Sequence, residues 1–194
     1  MARETSRETI LDSAQAVVLE RGAAHATLEA VAERAGLSKG GVLYHFQTKD
    51  ALLAALVDRM VAQFTTEVQT QSRRLGGDRS RALEAYVEAV FAMGEQMSDA
   101  ASALLLALSS NPALLEPLRV LYREHHRDLL RARVGREQAA VVSLALDGLW
   151  LLEMFQISPL SPEDETRIKS LLLRMAAEPA FAGPAVPSEA VPRS

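Results

Sequence analysis

Apolar residues recur three and four positions apart along almost the whole chain, and no stretch alternates apolar and polar residues as a half-buried strand does. Glycines and prolines divide this pattern into segments, and several segments begin with serine, threonine, aspartate or asparagine, which cap helix N-termini. The pattern predicts an all-α chain. With 194 residues and 48% hydrophobic content, such a chain can bury a sizeable core.

The first half is predicted to hold one medium helix, two short helices and one long helix. The first stops at Gly22 and the second at Gly36, since glycine is the usual residue just past a helix C-terminus. The predicted ranges are 6–21, 28–35, 39–46 and 49–74, the last three following the capping residues Thr27, Ser38 and Thr48.

The second half is predicted to hold further helices after the break at Gly76 and Gly77. From Pro179 onward the chain is spaced by prolines, and we expect this tail to be disordered. The predicted helices are 78–97, a start at Asp99, a start at Asn111–Pro112 that Pro117 bends or restarts before it continues to about Val134, 137–156, and a last one after Ser161–Pro162.

Two short helices joined by an Ala-Gly-Leu turn, preceded by a third helix, predict a helix-turn-helix. The second helix of that pair lies in the DNA major groove with its N-terminal end at the base edges. Here that end carries Gly40 and Gly41, although each glycine in a helix costs about 1 kcal/mol relative to alanine. We interpret the pair as allowing the backbone to approach DNA, while Val42 and Phe46 hold the helix on the core.

The charge distribution is compatible with a small DNA-binding surface. The formal net charge is -4, which argues against a protein that coats nucleic acid through bulk positive charge. From Arg34 to Lys49, however, three residues are basic (Arg34, Lys39 and Lys49) and none is acidic. A local positive site therefore lies within an acidic chain.

The segment TLEAVAERAGLSKGGVLYHFQTKDALLAAL, residues 27–56, resembles the DNA-binding half of the TetR family of transcriptional regulators. The all-α pattern that follows is similar to the family's larger ligand-binding and dimerisation domain. The resemblance implies a DNA-binding domain at 1–48 that extends into the next helix to about 66, a ligand-binding and dimerisation domain at 49–178, and a tail at 179–194.

The resemblance also implies roles for individual residues near the helix-turn-helix. Ser38 caps the recognition helix, and the helix start at Lys49 adds backbone N–H groups for a phosphate. Many members have an aromatic residue where this chain has Leu43, which can instead contact a thymine methyl. The base-facing positions are Lys39, Gly40, Gly41 and Leu43, and the phosphate-binding positions are Thr27, Tyr44, His45 and Lys49.

The larger domain is predicted to bind a small, mainly apolar ligand and to dimerise. Asp147 and Glu153 lie in its most apolar helix, and they either pair with each other or face a ligand. The predicted ligand-contacting residues are Phe91, Met93, Met97, Trp150 and Met154. The predicted seam between the last two helices of two copies consists of Leu144, Leu149, Leu151, Leu152, Leu171 and Leu172.

Other functional classes lack support in the sequence. The chain has no cysteine, no glycine-rich phosphate loop and no Ser-His-Asp or metal-ligand spacing, so we expect no enzyme, cofactor or metal site. Its N-terminus is too polar for a signal peptide, and its apolar stretches fall short of the roughly 20 residues of a membrane span, so we expect a cytoplasmic protein.

The sequence therefore predicts a ligand-responsive transcriptional regulator that binds double-stranded DNA. We expect a repressor that binds a palindromic operator as a homodimer and is released by a small molecule. The alternative is a helical small-molecule or protein-binding module without productive DNA binding. Dependence of DNA affinity on salt separates the two, because phosphate neutralisation releases counterions.

Overall fold

The computed structural model describes residues 2–93, 111–129 and 133–178, and these ranges contain helices and turns but no strand. The predicted all-α class is confirmed. The α-helices are α1 (Ala2–Arg21), α2 (Leu28–Ala35), α3 (Lys39–His45), α4 (Lys49–Arg74), α5 (82–93 of the described chain), α6 (Glu116–Leu129), α7 (Arg136–Met154) and α8 (Pro162–Ala177). Short 3-10 helices lie at Ala23–His25, Arg79–Arg81 and Pro112–Leu115.

The predicted caps at the start of α2, α3 and α4 are present. In each, the side-chain oxygen of the cap accepts a hydrogen bond from a backbone N–H three residues later, which satisfies one of the unpaired donors of the first turn. These bonds run from Ala30 to Thr27 (3.1 Å), from Gly41 to Ser38 (3.1 Å) and from Ala51 to Thr48 (3.0 Å). Gly36 ends α2 with a left-handed φ of 66°.

Some predicted boundaries differ from those observed. α1 begins at Ala2 rather than Ser6, and Pro117 is the second residue of α6, where a missing N–H costs no helical hydrogen bond. Val134 was predicted to lie in the helix before it, but it lies in a bend ahead of α7 and is 7% exposed. Because Val134 is buried like the inward-facing residues of a helix, the sequence pattern alone did not distinguish it from one. The predicted helix end at 97, the start at Asp99 and the tail at 179–194 lie outside the described residues.

Two apolar cores divide the described chain. The N-terminal core contains buried residues of α1, α2, α3 and the first part of α4, from Ile10 to Val57. The C-terminal core contains residues of α5, α6, α7 and α8, and Phe64 and Val68 of α4 pack against it. α4 therefore belongs to both, and it connects the helix-turn-helix to the larger helical unit.

A partly buried arginine fixes α4 against α1. The Arg59 side chain is 14% exposed, and its Nη1 lies 2.6 Å from Asp12 Oδ1. Its Nη2 donates to the Leu11 carbonyl at 3.1 Å. Because the guanidinium is planar and donates in several directions, this arrangement sets the orientation of α1 on α4.

Candidate functional site

The helix α3 presents one face to solvent and buries the other. Val42 is fully buried and Phe46 is 4% exposed, which confirms that these two residues hold α3 on the N-terminal core. On the opposite side, Tyr44 is 62% exposed and Leu43 is 36% exposed. The start of α3, with Ser38, Lys39 and Gly40, is exposed as well.

Nothing within the described protein requires glycine at positions 40 and 41. Neither residue has a positive φ. A Cβ atom added to Gly40 would meet only the Ser38 hydroxyl oxygen at 3.9 Å, and one added to Gly41 would meet that oxygen at 3.4 Å and the Leu37 Cβ at 3.9 Å. Neither packing nor a positive φ within the described residues therefore accounts for two glycines in this helix of seven residues.

The basic side chains around α3 are held by nearby acceptors in the DNA-free chain. Lys39 Nζ lies 2.6 Å from Glu29 Oε1, and its hydrogen bond lowers the pKa of the Glu29 carboxyl. Lys49 Nζ donates to the Ala24 carbonyl at 2.7 Å. Both contacts lie at the exposed surface.

The remaining predicted DNA-contacting residues are ordered by local contacts. Thr27 is exposed, and its hydroxyl accepts from the Ala30 N–H to cap α2 and also hydrogen-bonds the Glu29 carboxylate. The Tyr44 ring lies edge-on to the half-buried His45 ring, with centroids 5.2 Å apart. Sequence reasoning missed Arg7, whose guanidinium carbon lies 5.4 Å from the Phe46 ring centroid and places a further cation beside α3. Arg7 lies inside the first predicted helix, 6–21, but no local pattern in the sequence pairs it with Phe46.

A cavity that is partly open to solvent lies between α4, α5, α6 and α7. Met93 and Trp150, two of the predicted ligand-contacting residues, line it. Phe91 does not, since it packs against the C-terminal core with Lys169 Nζ 5.6 Å from its ring centroid. Met97 and the side chain of Met154 lie outside the described residues.

Asp147 is the carboxylate among the described side chains that line this cavity. Its Oδ1 accepts hydrogen bonds from the Tyr122 hydroxyl at 3.2 Å and the Tyr86 hydroxyl at 3.4 Å. Burial raises the pKa of Asp147, and the two tyrosine hydrogen bonds oppose that rise. Burial also raises the pKa of Glu153, as does Glu165 nearby. The sequence left open whether Asp147 pairs with Glu153 or faces a ligand, and the structure supports the second because Asp147 lines the cavity.

The described side chains of the cavity are mostly aromatic or aliphatic. The His125 ring packs against Tyr86 and Phe64, with centroids 4.6 and 5.5 Å away. In the described part of the chain, no three histidine, cysteine, aspartate or glutamate residues are grouped to hold a metal ion. The lining residues are Met60, Val61, Phe64, Tyr86, Val90, Met93, Leu118, Leu121, Tyr122, His125, Leu146, Asp147 and Trp150.

The predicted dimer residues divide into exposed and buried sets. Leu144, Leu151 and Leu171 are 69%, 44% and 46% exposed, and Leu149 and Leu152 are partly buried. Leu172 is 4% exposed because it packs in the C-terminal core of its own chain, so it adds no area to a seam.

The exposed apolar residues of α7 form a stripe that sequence reasoning identified only in part. Val141 and Phe155, the residue that caps the end of α7, are 54% and 49% exposed. With Leu144, Gly148 and Leu151 they follow a spacing of three and four residues along one face. A Cβ atom on Gly148 would meet nothing within 4 Å. We call these five positions the α7 stripe. Their helical spacing was the signal that could have identified the missing members.

No helix of the described chain is both long and apolar enough to cross a bilayer.

Comparison with known proteins connects both regions to one family of proteins. Residues 10–56 match the bacterial regulatory proteins of the tetR family, and residues 80–177 match a tetracyclin repressor-like C-terminal domain. The HTH-type transcriptional regulator BetI of Burkholderia mallei is 35% identical over 162 residues, which cover 77% of this chain and 82% of that protein.

Solved structures show the same fold. A TetR-family member from Streptomyces coelicolor A3 superposes with a TM-score of 0.69 at 25% identity, covering 88% of this chain and 98% of that one. SmeT in complex with triclosan superposes with a TM-score of 0.67 at 24% identity, covering 97% of this chain and all (100%) of the SmeT chain.

Proposed function

Because the chain belongs to the TetR family of bacterial transcriptional regulators, we propose that it is a repressor that binds a palindromic operator as a homodimer and leaves it when a small molecule enters the cavity. The observation that carries DNA binding is the exposed N-terminal end of α3 on a helix anchored by Val42 and Phe46. An anchored helix holds its base-facing side chains in a fixed register, as the major groove requires.

In this proposal the predicted DNA-contacting residues of the helix-turn-helix have separate roles. Ser38 positions α3 through its cap. Side chains near the start of α3 read bases, while the phosphate contacts surround them and set the orientation on the duplex. The base-facing set is Lys39, Gly40, Gly41 and Leu43, and the phosphate-binding set is Thr27, Tyr44, His45 and Lys49.

The two apolar cores support separate DNA-binding and ligand-binding units along the chain. In the proposal, residues 1–48 and the start of α4 bind DNA, and residues 49–178 bind ligand and dimerise. The N-terminal core ends at Val57 of α4, while Phe64 packs on the C-terminal core. The boundary between the two units therefore falls within α4. A movement of α4 in the ligand-binding unit is then transmitted to the DNA-binding unit.

The α7 stripe is the proposed centre of the dimer. An exposed apolar row on a helix at the surface is energetically unfavourable unless something covers it, and a second copy covers it symmetrically. Gly148 at its middle permits two α7 helices to cross closely. Obligate interfaces of this kind bury on the order of 2,000 Å² or more.

Two elements provide the proposed route from cavity to DNA. Leu118 of α6 lines the cavity and also packs against the N-terminal core. Met60 and Phe64 of α4 line the cavity, and near the start of α4 the Asp50 carboxylate accepts a hydrogen bond from Asn111 at 3.1 Å. A ligand that displaces α4 or α6 therefore changes the orientation of the helix-turn-helix.

The test begins with the operator. Purified protein is incubated with fragmented genomic DNA, the retained fragments are sequenced, and the affinity for the recovered site is measured by fluorescence anisotropy at several salt concentrations. We expect a palindromic site, a dimer in sedimentation, and a log K that falls with log salt. Recovery of no preferred fragment, with affinity independent of salt, would instead indicate a helical binding module without productive DNA contact.

A further inference from the structure

The described side chains that line the cavity between α4, α5, α6 and α7 place one carboxylate among aromatic rings. Of the described side chains that line it, Asp147 is the only carboxylate, and none is a lysine or arginine. No ion pair to Asp147 occurs within the described ranges. In the described part of the chain, Asp147 accepts hydrogen bonds from two tyrosines, and the only basic side chain of the described lining is the imidazole of His125.

Both hydroxyl protons beside this charge are already used. Tyr122 and Tyr86 each donate to Asp147 Oδ1. A ligand carboxylate or carbonyl placed beside Asp147 would therefore meet negative charge without these donors. A neutral apolar ligand would displace water from the carboxylate without supplying a hydrogen bond or a positive charge. Such a loss of solvation is unfavourable for a half-buried charge.

The walls around Asp147 favour positive charge as well. Phe64, Tyr86, Tyr122 and Trp150 line the same cavity, and the face of an aromatic ring attracts a cation. Tyr86 lies edge-on to Phe64, with centroids 5.8 Å apart and planes at 87°, so ring surfaces face in more than one direction. A group of this composition suits an alkylammonium or aryl cation, whose charge is spread over apolar atoms.

From this arrangement we infer that the effector of the cavity is an organic monocation with an apolar body, whose charged end lies at Asp147 between the rings of Tyr86, Tyr122 and Trp150. The inference rests on the proposed ligand-binding role and specifies the chemical class of that ligand. The described lining has no second carboxylate, which favours one positive charge over two.

The test uses three probes of one shape and different charge, measured by calorimetry on the full-length protein without DNA. They are (4-hydroxyphenyl)trimethylammonium, its neutral isostere 4-tert-butylphenol, and the anion 4-hydroxybenzenesulfonate. We expect the cation to bind at least about tenfold more tightly than the neutral probe, and the anion most weakly. The single tryptophan of the chain lines the cavity, so its fluorescence reports whether the bound probe is there.

Two variants localise the effect. Asp147→Asn keeps the shape and an acceptor but removes the charge, and we expect it to lower cation affinity by about tenfold while changing neutral affinity by less than about twofold. Glu153→Gln is the matched control, because it removes a negative charge from the same helix at a residue outside the cavity lining. It should leave all three affinities unchanged.

The wild-type comparison alone can overturn the inference, so it does not depend on the variants folding. A neutral probe that binds as tightly as the cation, or no saturable cation binding at about 1 mM, would contradict it. Equal losses for cation and neutral probe in Asp147→Asn would also contradict it. Because DNA binding is measured separately, a protein that binds its operator but not the cation refutes this inference and leaves the proposed function intact.

Discussion

Lys39 of α3 and Glu29 of α2 form an ion pair across the helix-turn-helix, with Nζ 2.6 Å from Oε1. Their side chains are 58% and 60% exposed, so the pair contributes little to the stability of the fold. The ion pair instead affects the proposed binding of DNA. In the proposed complex Lys39 exchanges Glu29 for a base, and the carboxylate remains beside a negatively charged duplex.

We therefore predict that Glu29→Gln strengthens operator binding several-fold, because it releases Lys39 and removes repulsion from the phosphates. The thermal midpoint should change little. Glu33→Gln, the same charge change at another exposed position of α2, is the control and should have a smaller effect. The measurement is anisotropy at fixed salt, and equal gains for the two variants would mean that only net charge matters.

Lys39 and Lys49 should differ in the kind of binding that they support. As a phosphate contact, Lys49→Ala should weaken operator and random DNA alike and lower the salt slope by about one unit. As a base contact, Lys39→Ala should weaken the operator more than random DNA. Salt titrations on both DNA types measure this, and an equal loss for Lys39→Ala on both would remove its base-reading role.

Local features of the fold could be predicted from the sequence, because they depend on residues close together in the chain. The caps Thr27, Ser38 and Thr48 act on N–H groups three residues away, and Gly36 ends its own helix. The burial of Val42 follows from helical spacing. These interactions need no knowledge of how helices pack.

The rest depends on packing between distant segments. Tyr86 and Tyr122 reach Asp147 across 61 and 25 positions of sequence, and Lys49 reaches the Ala24 carbonyl across 25. No local pattern pairs such residues. For the same reason the sequence marked Leu171 and Leu172 together as seam residues, although the chain's own core covers only Leu172. Helical periodicity predicts which face of a helix is apolar, but it does not predict which element packs against that face.

The α7 stripe predicts opposite outcomes for exposed and buried leucines. Leu144→Glu combined with Leu151→Glu should give a folded monomer that has lost operator binding, because a single recognition helix makes too few contacts. Leu172→Glu should instead lose helical structure, since it places an unpaired charge in the core. Sedimentation and circular dichroism separate these results. Val120→Glu, at a 39% exposed site on α6, should remain dimeric, and a dimeric double variant would place the interface elsewhere.

The same substitution at two aspartates should change stability in opposite directions. Hydrogen bonds from the Ser80 backbone and side chain, and from Arg133, lower the pKa of Asp78 from 3.8 to about 2. Its ionised form therefore stabilises the fold above about pH 3.8, and that contribution disappears as pH falls towards 2. Asp78→Asn should lower the thermal midpoint at neutral pH, with a smaller effect in acid.

Asp147 should behave in the opposite way, because burial raises its pKa above 3.8. The unfolded chain then releases this proton at lower pH than the folded chain does, so stability falls as pH rises through the interval above 3.8. Asp147→Asn removes that penalty, so its thermal midpoint should exceed that of the wild type at neutral pH and approach it in acid. A saturating cationic probe should raise the wild-type midpoint more than that of the variant, since ligand stabilises the folded state in proportion to how tightly it binds. A variant less stable than wild type at neutral pH would show that the tyrosine hydrogen bonds outweigh the cost of burying the carboxylate.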